Sequence, residues 1–271
     1  MTEVAYIDRP SRALYFYAIL YLGFLYIPVL FLPMFSFNDN IYIAFPLKGF
    51  TTKWYMAMFN DQPMWAALNN SLNVACVSAA IATLLGLFGA KAVTRYRIPG
   101  EKPIIFVIML PMVVPYIIMG VALLILVTRL GIDLSLYTVT MAHVLISVPF
   151  AMATLISRFE GFDQALEEAS TDLGASPLST FWRVTLPLVF PGVLASFLLC
   201  FTISFDEFIM AYFLAGTDPT LPIFIWSQLR FPTRLPGVLA LGSLILVVSF
   251  VVVFISQWLR RYRVEKTQPG I

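Results

Sequence analysis

The sequence predicts an all-α membrane protein with six transmembrane helices. Three observations carry that expectation. Sixty per cent of the 271 residues are hydrophobic and only 12% are charged, about half the charge of a soluble domain. The apolar residues gather into six runs of about 20, each long enough to cross the hydrocarbon core. Between the fourth and fifth runs lies a polar stretch, Arg158 to Pro187, which holds five of the 15 acidic residues. The net charge of +2 gives no footing for nucleic acid. Cys76 and Cys200 both fall inside apolar runs, where they read as packing residues rather than a disulfide or a metal pair.

Taken in order, residues 1–13 form a short polar start with Arg9 and Arg12. The membrane domain is expected over 14–259. Its first span, Leu14 to Met34, is rich in aromatics and interrupted at Pro28, which a span tolerates when neighbours satisfy the freed carbonyl. No small-residue cleavage site follows it, so it is expected to stay in the chain. In the loop 35–66, Thr51 or Thr52 is placed to cap a short helix bearing Trp54, Tyr55, Met58 and Phe59, aromatics suited to the membrane surface. The second span, Ala67 to Val93, carries Gly86 and Gly89, which permit close helix contact. A tight basic loop, Arg95 to Lys102, leads to the third, Pro103 to Val127, broken by Pro111 and Pro115. The fourth is Leu134 to Ile156, the fifth Phe190 to Leu214, and the sixth Pro236 to Leu259. Residues 260–271 are a polar, Arg-rich tail.

The loop 158–187 reads as helical in two pieces. Phe159, Phe162, Leu166, Ala169 and Leu173 recur at spacings of three and four, which places them on one face. Gly174 suits the end of that helix, and Ser176-Pro177 reads as an N-cap followed by proline at the first helical position. An amphipathic helix lying on the membrane surface is a docking element for something outside the membrane.

These residues carry a resemblance. Glu168-Ala169-Ser170, three residues to Gly174, nine to Val184, then Leu186-Pro187 is similar to the EAA loop of permeases of ATP-binding-cassette (ABC) importers, type I. The chain departs from the family pattern at Ser170 for Ala and Val184 for Ile. The order of six spans, the Phe50–Tyr55 segment and the SFDEF segment further resemble the second permease of spermidine/putrescine-type importers. The resemblance implies the type I importer transmembrane fold in a bacterial inner membrane. It implies a cytoplasmic ATPase dimer carrying ATP and Mg, a second and usually different permease chain, and a periplasmic substrate-binding protein. It places Glu167, Glu168, Ala169, Asp172, Gly174, Leu186 and Pro187 in the segment that couples to the ATPase. No cofactor is expected in this chain itself.

Topology can be read independently. Twelve of the 17 Lys and Arg lie in the N-terminus, the second-to-third loop, the 158–187 loop and the tail; Lys48, Lys53, Arg129, Arg230 and Arg234 lie on the other side. The positive-inside rule then puts both termini and the long loop in the cytoplasm. No GxxxxGK[ST] loop is present, since Gly86 to Lys91 reads GLFGAK. The chain is therefore expected to be a transport subunit rather than an ATPase. The single histidine, His143, reads as a helix-contact residue ahead of a proton relay.

Charges inside a span are functional candidates by default. The clear pair is Asp206-Glu207 in the fifth span, near Thr202, Ser204 and Tyr212, with Phe201, Phe205 and Phe208 as aromatic walls. Carboxylates beside aromatic faces suit an ammonium group. Asp206, Glu207 and Tyr212 are thus candidates for a substrate pathway, with a structural ion-pair role for either acid kept open. The substrate expected is a small cationic solute such as a polyamine; opines and other solutes remain alternatives. The competing class is an ion-driven secondary transporter relaying through Asp206, Glu207 and His143. Against it, no inverted repeat is visible and the long loop would be idle. A membrane-embedded enzyme is disfavoured because no cluster of catalytic residue types occurs.

Overall fold

The computed structural model describes residues 12–96 and 98–267, with side chains as far as 254 apart from 252 and 253. Residues 1–11, Arg97, the basic side chains of the tail and residues 268–271 lie outside it, and so do the expectations that fell on them. The described elements are all helical. In chain order they are α1 (Arg12–Ser36), α2 (Lys53–Phe59), α3 (Gln62–Arg95), α4 (Glu101–Met109), α5 (Tyr116–Arg129) and α6 (Leu136–Glu160). There follow α7 (Ala165–Asp172), α8 (Pro177–Thr180), α9 (Leu186–Asp206), α10 (Ile209–Leu214), α11 (Leu221–Gln228) and α12 (Leu235–Thr267).

Among the described residues, five stretches are long and apolar enough to cross a membrane: Arg12–Ser36, Gln62–Arg95, Leu136–Glu160, Pro177–Asp206 and Pro232–Val251. The pair Glu101–Met112 and Tyr116–Arg129 makes a sixth, bent by 100°. The bend falls where Pro111 and Pro115 were expected to break the third span. Pro115 adopts φ −55° and ψ 130°, outside the helical region, and its missing N–H ends the ladder.

The chain divides into two compact units, Met1–Gln62 with Ser227–Ile271, and Pro63–Trp226. In the first unit α1 shows its apolar side chains outward. Tyr15, Phe16, Tyr17 and Phe24 are each more than 60% exposed, as a helix facing lipid requires. The segment after α1 is pinned to α2. Trp54 Nε1 donates to Asn38 O at 2.9 Å, and Ser36 Oγ lies 2.6 Å from Tyr55 Oη. Tyr55 Oη in turn donates to Ser243 Oγ of α12 at 3.2 Å. Phe37 stacks on Phe50 at 4.9 Å. The helix expected over Trp54 to Phe59 is α2; Thr52 stands at its N-cap without a side-chain bond, and Thr51 Oγ1 accepts from Lys53 N at 3.2 Å.

In the second unit α6 packs most extensively on α9, and α3 crosses α6 at close range. A Cβ on Gly86 would lie 2.7 Å from Cβ of Ala151 and 2.9 Å from Met152 N. Only glycine allows backbones this close. Ala79, Ala82, Ala151 and Cys200 are fully buried around the crossing. One end of the unit is closed by Val139, Ala142 and Ile146 of α6 against Met210, Ala211 and Leu214 of α10. At the other end Leu87, Leu155, Phe159, Phe181 and Val189 form a second cluster.

Two expectations are corrected. The apolar stripe from Phe159 to Leu173 does not lie on one helix. The chain turns at Gly161, and Asp163 Oδ1 accepts from Ala165 N at 3.0 Å to start α7 afresh. Phe159 is buried, whereas Leu166 is 48% and Leu173 89% exposed. The fifth span is not one helix either. It ends at Asp206, passes through an extended Glu207 (ψ 121°) and resumes as α10.

Candidate functional site

The long loop begins where α6 ends. α7 contributes no buried residue. Its end is a Schellman turn: Gly174, at φ +86°, donates to Thr171 O at 2.9 Å, and Ala175 N donates to Ser170 O at 3.1 Å. That left-handed position is where glycine is needed. Ser176 then caps α8, its Oγ accepting from Ser179 N at 3.3 Å, with Pro177 in the first turn. A π-turn over Phe181–Thr185 leads into Leu186-Pro187. The wider turn suits a proline, which lacks an N–H and needs room beside the preceding turn.

The predicted coupling residues separate into two environments. Glu168, Ala169 and Asp172 are exposed, and Leu186 is half-buried beside the Phe159 cluster. Glu167 turns inward. Its Oε2 receives Arg95 Nε at 2.6 Å and its Oε1 accepts from the hydroxyl of Thr185. Arg95, in the last turn of α3, also donates from Nη2 to Phe159 O at 3.1 Å, and its guanidinium lies 4.5 Å from the ring centre of Phe162 and 5.6 Å from that of Phe159. Neither Arg95 nor Thr185 was singled out from sequence. The basic residue at the end of a span was the available signal, but nothing local names its partner 72 positions away.

The pathway candidates also separate. Asp206 is exposed at the C-terminus of α9, the helix end that disfavours a carboxylate. Glu207 is buried at 6% exposure. Its Oε1 accepts from Ile209 N at 2.9 Å, and its Oε2 from Met210 N at 2.9 Å and Ala211 N at 3.2 Å. His143 Nδ1 pairs with Ser204 Oγ at 2.7 Å, and Ser78 Oγ donates to the same oxygen at 2.8 Å. His143 therefore joins α6 to α9. Tyr212 is half exposed, its ring 5.6 Å from that of Phe208, which lies 5.6 Å from Trp226. Phe197, Phe201 and Phe205 stack along α9 at 6.5 and 5.8 Å.

Among the described residues, five apolar helical spans and a bent sixth, with a long polar loop that contains a capped double turn, define a multi-pass membrane protein. A family profile described as the binding-protein-dependent transport system inner membrane component matches residues 82–264. The chain belongs to that family. It is 37% identical over 240 residues to the spermidine/putrescine transport system permease protein PotC of Escherichia coli K12, covering 88% of this chain and 90% of that one. It is 35% identical over 258 residues to the putrescine transport system permease protein PotI of the same strain, covering 92% and 91%. Among solved structures, a bacterial ABC transporter involved in import of the acidic polysaccharide alginate superposes with a TM-score of 0.68 at 16% identity, over 92% of this chain and 98% of that one. That likeness speaks to the fold alone. The chain is thus the permease of an ABC importer of the bacterial inner membrane.

Proposed function

We propose that this permease imports a polyamine. It would act with a second, different permease chain, a cytoplasmic ATPase dimer that binds ATP and Mg, and a periplasmic binding protein that delivers the substrate. Both termini and the 158–187 loop face the cytoplasm in this reading, in line with the distribution of Lys and Arg. The observation that carries the substrate class is the 37% identity to a spermidine/putrescine permease over nearly the whole chain. The site chemistry agrees. Asp206 offers an exposed carboxylate, and the aromatic faces of α9 and of Phe208, Tyr212 and Trp226 supply surfaces that attract an ammonium group. In the coupling step, α7 and the turn at Gly174 receive the motion of the ATPase.

The test is ATP-driven uptake of radiolabelled spermidine and putrescine by the purified assembly in proteoliposomes. Saturable uptake that needs ATP inside and the binding protein outside is expected. Uptake that ignores ATP and follows an imposed ion gradient would transfer the chain to the secondary transporters. ATP-driven uptake of another solute, with no competition by polyamines, would keep the importer and discard the substrate.

A further inference from the structure

α7 poses a mechanical problem. A helix that passes force into the membrane helices must be attached to them, yet none of its residues is buried. Leu166 and Leu173 are exposed, and the apolar cluster beneath the loop draws on α3, α6, α9 and the π-turn but on nothing in α7. Two polar links attach it instead. Ser170 Oγ lies 2.9 Å from Thr180 Oγ1, a neutral pair close in the chain. The other is Glu167, which reaches both Arg95 and Thr185.

We propose that Arg95 is the positioning residue of the coupling step, and that the Arg95–Glu167–Thr185 clamp transmits displacement of α7 to α3, α6 and α9. Four segments meet at the guanidinium. It ends α3, holds the last turn of α6 through Phe159 O, stacks on Phe162 in the α6–α7 link and pairs with α7 through Glu167. Thr185, the last residue of the π-turn that enters α9, completes the clamp. The side chains of Arg95 and Glu167 are only 10% and 13% exposed, so water screens the pair weakly and loss of one partner strands the other. A guanidinium fork holds direction as well as charge, which an ammonium cannot do. The clamp is thus stiff where the remaining attachment of α7 is weak. This inference rests on the importer reading given above.

The experiment is performed on the complete assembly in proteoliposomes. It measures ATPase recovered per permease and the ratio of ATP hydrolysis with binding protein plus spermidine to hydrolysis without them. Arg95→Gln and Glu167→Gln should each lower that ratio at least about fivefold, the small end of typical coupling strengths, with recovery of the ATPase unchanged. The double variant should be no worse than either single one. Arg95→Lys should regain only part. Thr185→Val, which removes one donor and keeps the shape, serves if the charge variants assemble poorly. A wild-type ratio in the assembled variants, or losses in assembly with the ratio preserved, overturns the clamp. If the wild-type chain recruits no ATPase, the importer reading itself fails, which is a separate result.

Discussion

The carboxylate of Glu207 stands 3.3 Å from Nε2 of His143, with the two side chains only 3% and 1% exposed. The contact lacks hydrogen-bond alignment on the histidine side; the carboxylate is directed instead at three backbone N–H groups of α10. Two neighbouring acids in one span therefore do different work. Glu207 supports the break between α9 and α10, and Asp206 is left at the surface of α9.

Removing that support should be costly. Glu207→Ala strands three backbone N–H groups, two of them buried, and the adjacent imidazole, with an expected loss of about 3 kcal/mol, the scale of hydrogen bonds to a charged group. Glu207→Gln keeps an acceptor oxygen and should recover much of it. Thermal unfolding of the purified assembly in detergent measures both. A wild-type midpoint for the alanine variant would remove the anchoring role.

Asp206→Asn should act on transport rather than stability. Its carboxylate is exposed and stands at an unfavourable helix end, so neutralising it should not destabilise the fold. A tenfold rise in KM for spermidine uptake, about 1.4 kcal/mol, is the expected scale, with the midpoint and ATPase recovery unchanged. Unaltered uptake kinetics would take Asp206 out of the pathway.

The close packing of α3 on α6 gives a third test. Gly86→Val drives a side chain into Ala151 and the Met152 backbone and should cost about 1–3 kcal/mol or more, as overpacking does. Gly237→Ala is the control, because a Cβ there meets nothing within 4 Å. The yield of monodisperse protein after detergent extraction should fall for the first and hold for the second. Equal yields would show that the crossing can widen.

Much of this was legible in the chain, and the rest failed for definable reasons. Span positions, the bend at Pro111 and Pro115, the close approach at Gly86, the turn at Gly174 and the cap at Ser176 all follow from local rules of length, proline, glycine and capping. The break at Glu207 follows from none of them. No glycine or proline marks it, and a glutamate in an apolar run advertises charge rather than a cap for the next helix. The stripe from Phe159 to Leu173 misled because 3.6-residue spacing persists across Gly161 to Gln164 although the helix does not. Arg95 and Glu167 meet only through the fold: they lie 72 residues apart, beyond any pattern of spacing.

The turn at Gly174 can be tested separately from the packing around it. A Cβ at this position would touch nothing within 4 Å, so substitution changes backbone energetics alone. A left-handed backbone costs an ordinary residue about 1–2 kcal/mol, more for a β-branched one and less for asparagine. The order of recovery of the ATPase with the permease should therefore be Gly174, then Asn, then Ala, then Val, while membrane insertion stays constant. Gly174→Asp adds a carboxylate to a loop in which Asp163, Glu168 and Asp172 are already exposed, and should fall below Asn by its charge. If Val retained the ATPase as well as glycine does, the Schellman turn would not be what fixes the attitude of α7. The Glu167 and Ser170 links would then have to hold it by themselves.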